Sequence, residues 1–238
     1  MKKLIVASTS TVHGSGYLEY ILPVLSVHFE KTTNILFIPY ARPGGISYDA
    51  YTEIARKAFE KIGKNVKGIH EFENPKEAIV NATGIFTGGG NTFELVNQLY
   101  KNDVLDTLKD ALEIGTPYLG TSAGSNICGV TMMNTNDMPI VYPPSFKTLG
   151  LIPFNINAHY LDPNPNSKHM GETRETRIKE FHVFNTTDVL GLREGSWLEV
   201  NGNKITLKGD LTARLFQKDK LATELATNKE IILQKEKP

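Results

Sequence analysis

Apolar residues fall into two rhythms along the first half of the chain. Short unbroken runs at Lys3–Ser8, Asn34–Pro39, Asn65–Ile69, Gly84–Thr87 and Pro117–Thr121 read as buried strands. Between them, apolar residues recur every third or fourth position, the spacing of one helical face. Tyr17–Phe29 carries Leu18, Ile21, Leu22, Leu25 and Phe29 on that spacing. Pro23 sits inside it, so this helix kinks or starts near the proline. Ser47–Ile62 places Tyr51, Ile54, Ala55, Ala58, Phe59 and Ile62 on one face, and Gly63 stops it. Asn74 caps a short helix with Pro75 at its first position, running to about Asn81. Phe93, Leu95, Val96 and Leu99 mark another helix, and Asp103–Ile114 a further one closed by Gly115. Buried strands alternating with helices predict a parallel sheet covered on both faces.

The texture changes after residue 131. Met132–Pro153 is rich in proline and reads as loop. Phe154–Tyr160 reads as a strand, Leu161–Gly171 as an exposed loop, Glu172–Phe184 as a helix and Val189–Leu192 as a short strand. Trp197–Val200 and Lys204–Leu207 flank Asn201-Gly202-Asn203, a strong hairpin signal. Ala213–Gln217 adds a strand, and the charged tail 218–238 has no placement. The expected fold class is therefore α/β: a single domain over 1–238, with a doubly wound, mostly parallel sheet, helices on both faces and a C-terminal β-hairpin.

Composition narrows the function classes. Lys+Arg and Asp+Glu both number 26, so no charge excess points to nucleic acid or a membrane surface. The lone cysteine, Cys128, allows neither an internal disulfide nor a thiolate metal site. The apolar run after Lys2-Lys3 is only Leu4–Ala7, shorter than the roughly 7–15 residues of a secretion signal. The expectation is a cytoplasmic protein, with the sequons at Asn81 and Asn185 as chance matches.

Gly120-Thr121-Ser122-Ala123-Gly124 fits G-x-S-x-G, the elbow that turns a strand into a helix and leaves its serine exposed. The Ala123 amide can point at a developing oxyanion. The pattern alone is weak, since a plain chain reversal also uses Gly and Ser. Gly88-Gly89-Gly90 likewise ends a strand and opens a helix. No Walker lysine and no G-x-G-x-x-G follow, so an oxyanion hole that includes Gly90 explains the glycines better than a nucleotide site. A tight strand–helix connection explains one or two of them equally well. Among six histidines, His159 stands out because it ends an apolar run. His28 and His182 lie in helical segments, and His13, His70 and His169 in loops or at strand ends. Asp137 and Glu194 are the acids that could orient a histidine, and spacing does not choose between them.

Taken together, these segments resemble the peptidase E (α-aspartyl dipeptidase) family of serine peptidases, family S51. The resemblance runs through Phe86–Phe93, Ser122-Ala123-Gly124, Thr135–Val141, Asn157-Ala158-His159, Gly171–Ile178 and Gly191–Glu194-Gly195, nearly the whole chain in order. It implies a fold like class I glutamine amidotransferases and hydrolysis of dipeptides with N-terminal aspartate. It implies Ser122 as nucleophile, His159 as base, Asp137 or Glu194 as third member, and Arg174 as binder of the substrate aspartate. Glu194 is favoured because it follows a sheet strand; Asp137 could instead hold the loop. An arginine fork suits a short carboxylate, whereas Arg177 reads as a surface residue paired with Glu172 or Glu175. Thr121 and the loop between His159 and Gly171 depart slightly from the family pattern.

The expected enzyme needs no metal or cofactor. Its partner is a small dipeptide, with no nucleic acid or membrane, and it is a monomer or small homo-oligomer. Two other readings stand beside it: a cyanophycinase-like hydrolase of an aspartyl-arginine polymer, and a non-catalytic α/β binding module. An amidotransferase is disfavoured because Cys128 lies six residues beyond the serine.

Overall fold

A computed structural model describes residues 1–232 except 165, 167 and 169. His169 and the last residues of the tail lie outside the described set. The first half builds strands β1 (Lys3–Ala7), β2 (Asn34–Ile38), β3 (Asn65–Gly68), β4 (Ile85–Thr87) and β5 (Tyr118–Thr121). Between them lie α1 (Leu22–His28), α2 (Tyr48–Glu60), α3 (Pro75–Val80), α4 (Thr92–Lys101) and α5 (Leu105–Ile114). A one-turn helix, α6 (Ala123–Asn126), follows β5. The second half adds β6 (Asn155–Ala158), α7 (Arg174–Phe184), β7 (Val189–Leu192), β8 (Trp197–Asn201), β9 (Lys204–Lys208), β10 (Ala213–Phe216) and β11 (Thr223–Leu225).

The helix ends follow local chemistry. The Ser47 hydroxyl accepts from the Ala50 amide at 3.1 Å, and Asn74 Oδ1 from the Glu77 amide at 3.2 Å, so both supply partners that a first turn lacks. Gly115 closes α5 at φ 116°. The helical pattern from Tyr17 is helix only from Leu22, after a 3-10 turn at Glu19–Ile21. Proline has no amide to donate, so it belongs in a first turn, and the helix starts beside Pro23.

Seven strands form the main sheet in the order β3-β2-β4-β5-β1-β8-β9. The first five are parallel to one another, while the β8–β9 hairpin joins antiparallel beside β1. Leu4, Val6, Leu36 and Ile38 face one buried cluster with Leu95, Leu99, Leu108 and Leu112. Their neighbours Ile5, Ala7, Ile35 and Phe37 face another, with Leu25, Tyr51, Ala55 and Phe59. Alternate residues of each strand thus enter opposite cores, which is why these strands read as unbroken apolar runs.

Strands β11-β10-β7-β6 form a second sheet, in which β6 and β7 are parallel. The unplaced tail supplies its outer strand, β11. Apolar spacing had predicted β6, β7 and β10 as strands without indicating that they leave the main sheet. Ile156, Leu190 and Leu215 still enter the same cluster as Leu4 and Val6, so the two sheets share a core. None of the helices is long and apolar enough to cross a membrane among the described residues.

Candidate active site

Three strands of the main sheet end side by side. Thr87 pairs with Gly120 and Ala7 with Thr121, so the residues after β1, β4 and β5 emerge together. The Ser122 amide extends the ladder, donating to the Ala7 carbonyl at 3.1 Å. The chain then turns into α6, and Ser122 takes φ 51°, ψ −111°. Such backbone costs a non-glycine residue on the order of 1–3 kcal/mol and persists only where its surroundings impose it. Here the flanking glycines make room for the turn that imposes it. A Cβ on Gly120 would lie 2.4 Å from the Gly124 carbonyl oxygen, and one on Gly124 would lie 2.2 Å from that of Thr87. The buried Ser125 hydroxyl fastens the turn from beneath through the carbonyls of Ala7 and Gly120, at 2.6 and 2.8 Å.

His159 arrives from the second sheet. It follows β6 with φ 54°, and its amide donates to Ser8 Oγ at 2.9 Å. Ser8 Oγ in turn donates to the Leu192 carbonyl at 2.7 Å. This buried serine after β1 therefore joins the two sheets at the site. Sequence reasoning passed over it; the available signal was a hydroxyl at the carboxyl end of an apolar strand. The His159 ring places Nε2 2.9 Å from Ser122 Oγ and Nδ1 2.6 Å from Glu194 Oε1. A carboxylate accepts, so the proton sits on Nδ1 and Nε2 is left to accept from the serine hydroxyl.

Arg193 clamps this corner. Its guanidinium donates to both Asp162 oxygens at 2.8 and 2.7 Å, to both Glu224 oxygens at 2.9 and 3.0 Å, and to the Thr212 carbonyl at 2.7 Å. It thereby ties the loop after His159 to the turn carrying Glu194 and to β11. The arginine holds the carboxyls of Asp162 and Glu224 below their ordinary range.

Asp137 sits elsewhere. Its Oδ2 accepts from the Thr92 amide and hydroxyl at 2.7 and 2.5 Å and from the Thr135 hydroxyl at 3.0 Å. The carboxylate thus pins the Met132–Pro153 loop to the start of α4, with Asn91 Nδ2 donating to the Met138 carbonyl nearby at 2.9 Å. Arg174 is the first residue of α7, half-buried, with no ion-pair partner among the described residues. Burial and the charge of Arg177 push its pKa down, and Asp137 opposes them. A cation at a helix N-terminus also meets the positive end of the helix dipole. Arg174 therefore pays for its place unless an anion joins it. Arg177 does pair with Glu172, at 3.7 Å.

The triple glycine packs against both the serine and the core. A Cβ on Gly89 would lie 3.0 Å from Ser122 Cβ, and one on Gly90, at φ 143°, would lie 2.2 Å from the Ala41 carbonyl oxygen. Among the described residues, the amides of Gly89, Gly90 and Ala123 have no protein acceptor. Amides left unpaired beside a serine hydroxyl can bind a negative oxygen.

Three other histidines have partners of their own. His28 binds the Tyr118 carbonyl, His70 the Asp49 carboxylate and His182 the Thr187 carbonyl. Cys128 is fully buried, and burial pushes its thiol up to about 12, so it is inert at neutral pH. Among the described residues no group of three or more His, Cys, Asp or Glu side chains is arranged to hold a metal. A cavity of about 970 Å³ lies at the opposite end of the strands, around Asn34 and Asn65. It is remote from the chemistry because those two residues begin β2 and β3.

An α/β sheet that delivers a strained serine to a histidine–glutamate pair defines a serine hydrolase built on a nucleophile elbow. The model of peptidase family S51 matches residues 4–208, and the chain belongs to that family. A peptidase E of Streptomyces coelicolor is 45% identical over 228 residues, covering 96% of this chain and 93% of the relative. A Drosophila melanogaster protein described as "Probable alpha-aspartyl dipeptidase" is 44% identical, covering 94% of each chain. The solved structure of a peptidase from an acI-B1 Actinobacterium superposes with a TM-score of 0.74 at 15% identity, over 98% of this chain and 97% of that one. That likeness is one of fold.

Proposed function

We propose that the protein is a dipeptidase that hydrolyses Asp-Xaa substrates, with Ser122 as nucleophile, His159 as general base and Glu194 as orienting acid. The observation that carries this reading is the unbroken line from Ser122 Oγ to His159 Nε2 and from His159 Nδ1 to Glu194 Oε1. Ser122 Oγ attacks the peptide carbonyl as its proton passes to Nε2. The carbonyl oxygen becomes an oxyanion facing the Gly90 and Ala123 amides. The tetrahedral intermediate collapses, His159 returns the proton to the leaving amine, and an aspartyl ester on Ser122 remains. Water, deprotonated by His159, then attacks the ester carbonyl; the bond to Ser122 Oγ breaks, His159 returns the proton to that oxygen, and aspartate leaves. Glu194 holds the Nδ1 tautomer and stabilises the imidazolium that forms in both halves.

Arg174 binds the side-chain carboxylate of the substrate aspartate. Its half-burial, its lack of an ion-pair partner among the described residues and its place at a helix N-terminus all favour an anion there. Asp137 holds the Thr92 segment beside the glycines. The chain works as one domain, in the cytoplasm, as a monomer or small homo-oligomer.

The test compares hydrolysis of Asp-Leu, Asn-Leu and Ala-Leu by the wild type and by Ser122→Ala. Asp-Leu should be strongly preferred and Ser122→Ala inactive. Equal rates on the three dipeptides would remove the aspartate reading, and full activity in Ser122→Ala would remove the mechanism.

A further inference from the structure

The three glycines between β4 and α4 meet different neighbours. Gly89 lies against Ser122 and Gly90 against Ala41, whereas Gly88 makes room for a tyrosine. A Cβ on Gly88 would lie 2.5 Å from the Tyr51 hydroxyl oxygen. Tyr51 stands on α2, is 2% exposed and packs edge-on against Phe37. Its hydroxyl passes through the gap left by Gly88 and donates to the Gly89 carbonyl at 3.1 Å. Tyr17 donates to the same hydroxyl oxygen at 3.4 Å, and the Arg42 guanidinium lies 5.1 Å from the ring centre.

The Gly89 carbonyl and the Gly90 N–H belong to one planar peptide group. Fixing the oxygen fixes the direction of the hydrogen. Glycines on both sides of that peptide leave its rotation otherwise poorly restrained. Accepting a hydrogen bond at the oxygen also polarises the N–H, as in any hydrogen-bonded chain. We infer that Tyr51 is the positioning residue of the oxyanion hole: its buried hydroxyl orients the Gly89–Gly90 peptide so that the Gly90 amide points at the reacting carbonyl oxygen. The inference rests on the proposed role of Gly90 as an oxyanion donor. Tyr51 touches no substrate and acts only through the peptide it holds.

The experiment is Tyr51→Phe, which keeps the ring and removes the donor. Loss of an oxyanion donor costs about 10²–10³ in kcat, so a misdirected donor should cost roughly 10–100-fold. We expect kcat on Asp-Leu to fall by that factor with KM unchanged. Labelling of Ser122 by a fluorophosphonate, whose adduct carries an oxygen in the hole, should slow by a similar factor. Wild-type kcat and labelling rate in Tyr51→Phe would overturn the inference, as would a loss confined to KM. If the wild type proves inactive on Asp-Leu but its Ser122 is labelled, the substrate reading fails while the labelling comparison still decides the role of Tyr51. Should Tyr51→Phe fail to fold, Gly88→Ala places a methyl 2.5 Å from the hydroxyl oxygen and displaces it with Tyr51 itself unchanged; wild-type kcat there would equally overturn it.

Discussion

Glu194 Oε1 lies 2.6 Å from His159 Nδ1, whereas Asp137 turns its Oδ2 to the Thr92 amide and the hydroxyls of Thr92 and Thr135. The two acids that the sequence leaves as alternatives therefore face different partners. Glu194→Gln replaces an acceptor with an amide that can donate to Nδ1, which moves the imidazole proton to Nε2 and blocks uptake from Ser122. We expect kcat to fall about 10³–10⁴-fold, as when a triad acid is made neutral. Asp137→Asn leaves the triad intact and weakens the contact with Thr92. It should cost about 1–3 kcal/mol of stability and far less activity. Paired kinetics and urea titrations of the two variants separate these outcomes; a larger kcat loss in Asp137→Asn would reverse the assignment.

Arg174 makes a selective prediction. Removing the fork in Arg174→Leu should cost Asp-Leu hydrolysis about 2–4 kcal/mol of transition-state stabilisation, roughly 30- to 1000-fold in kcat/KM. Ala-Leu, which offers no carboxylate at that site, should keep its low rate. Arg174→Lys should restore part of the loss, because charge returns without the two-pronged geometry. Equal losses on Asp-Leu and Ala-Leu would mean that Arg174 supports α7 rather than the substrate.

The backbone of Ser122 is held at φ 51°, ψ −111°, where a side chain is strained and glycine is not. Ser122→Gly should therefore abolish activity yet raise stability by about 1 kcal/mol, the relieved strain less the added flexibility of glycine in the unfolded chain. In a chain of 238 residues that is about 2–4 °C in Tm. A thermal melt beside Ser122→Ala, which keeps the strain, is the check. A Ser122→Gly melt below that of Ser122→Ala would show that the elbow stores no strain.

Much of the scaffold is legible because local chemistry decides it. Ser47 and Asn74 cap helices through their own side chains, and the two-residue Gly202-Asn203 turn sets the pairing of Asn201 with Lys204. The apolar runs of β1, β2 and β5 announce burial on both faces. Strand partnership is not local, however. Spacing identifies Phe154–Tyr160 as extended without saying that it leaves the main sheet, and so does not foresee that Ser122 and His159 approach from different sheets. The same limit hides Ser8, whose hydroxyl bridges residues 151 and 184 positions away, and Glu224, which reaches Arg193 from an unpatterned tail. The choice between Asp137 and Glu194 also depends on loop paths that have no period.

His28 makes the stability of the protein depend on pH. Burial, aided by Lys3 and opposed by the bond to the Tyr118 carbonyl, pushes its pKa down from 6.5 to about 4. Between those values the unfolded chain takes up a proton that the folded chain refuses, so stability must fall as pH falls through that window. The full contribution is roughly 3 kcal/mol, present above about pH 6.5 and gone below about pH 4. Asp162 and Glu224 have the usual carboxylate sign. Arg193 holds both pKa values down, so their stabilisation is complete above the ordinary carboxylate range and fades only at lower pH. Stability should then fall in two pH windows, with that of His28 the upper one. His28→Gln keeps an amide able to reach the Tyr118 carbonyl but cannot be protonated. Urea titrations at about pH 7 and about pH 5 should show the wild type losing more stability than the variant between the two conditions. Parallel losses would mean that His28 charges without penalty and that another group sets the upper window.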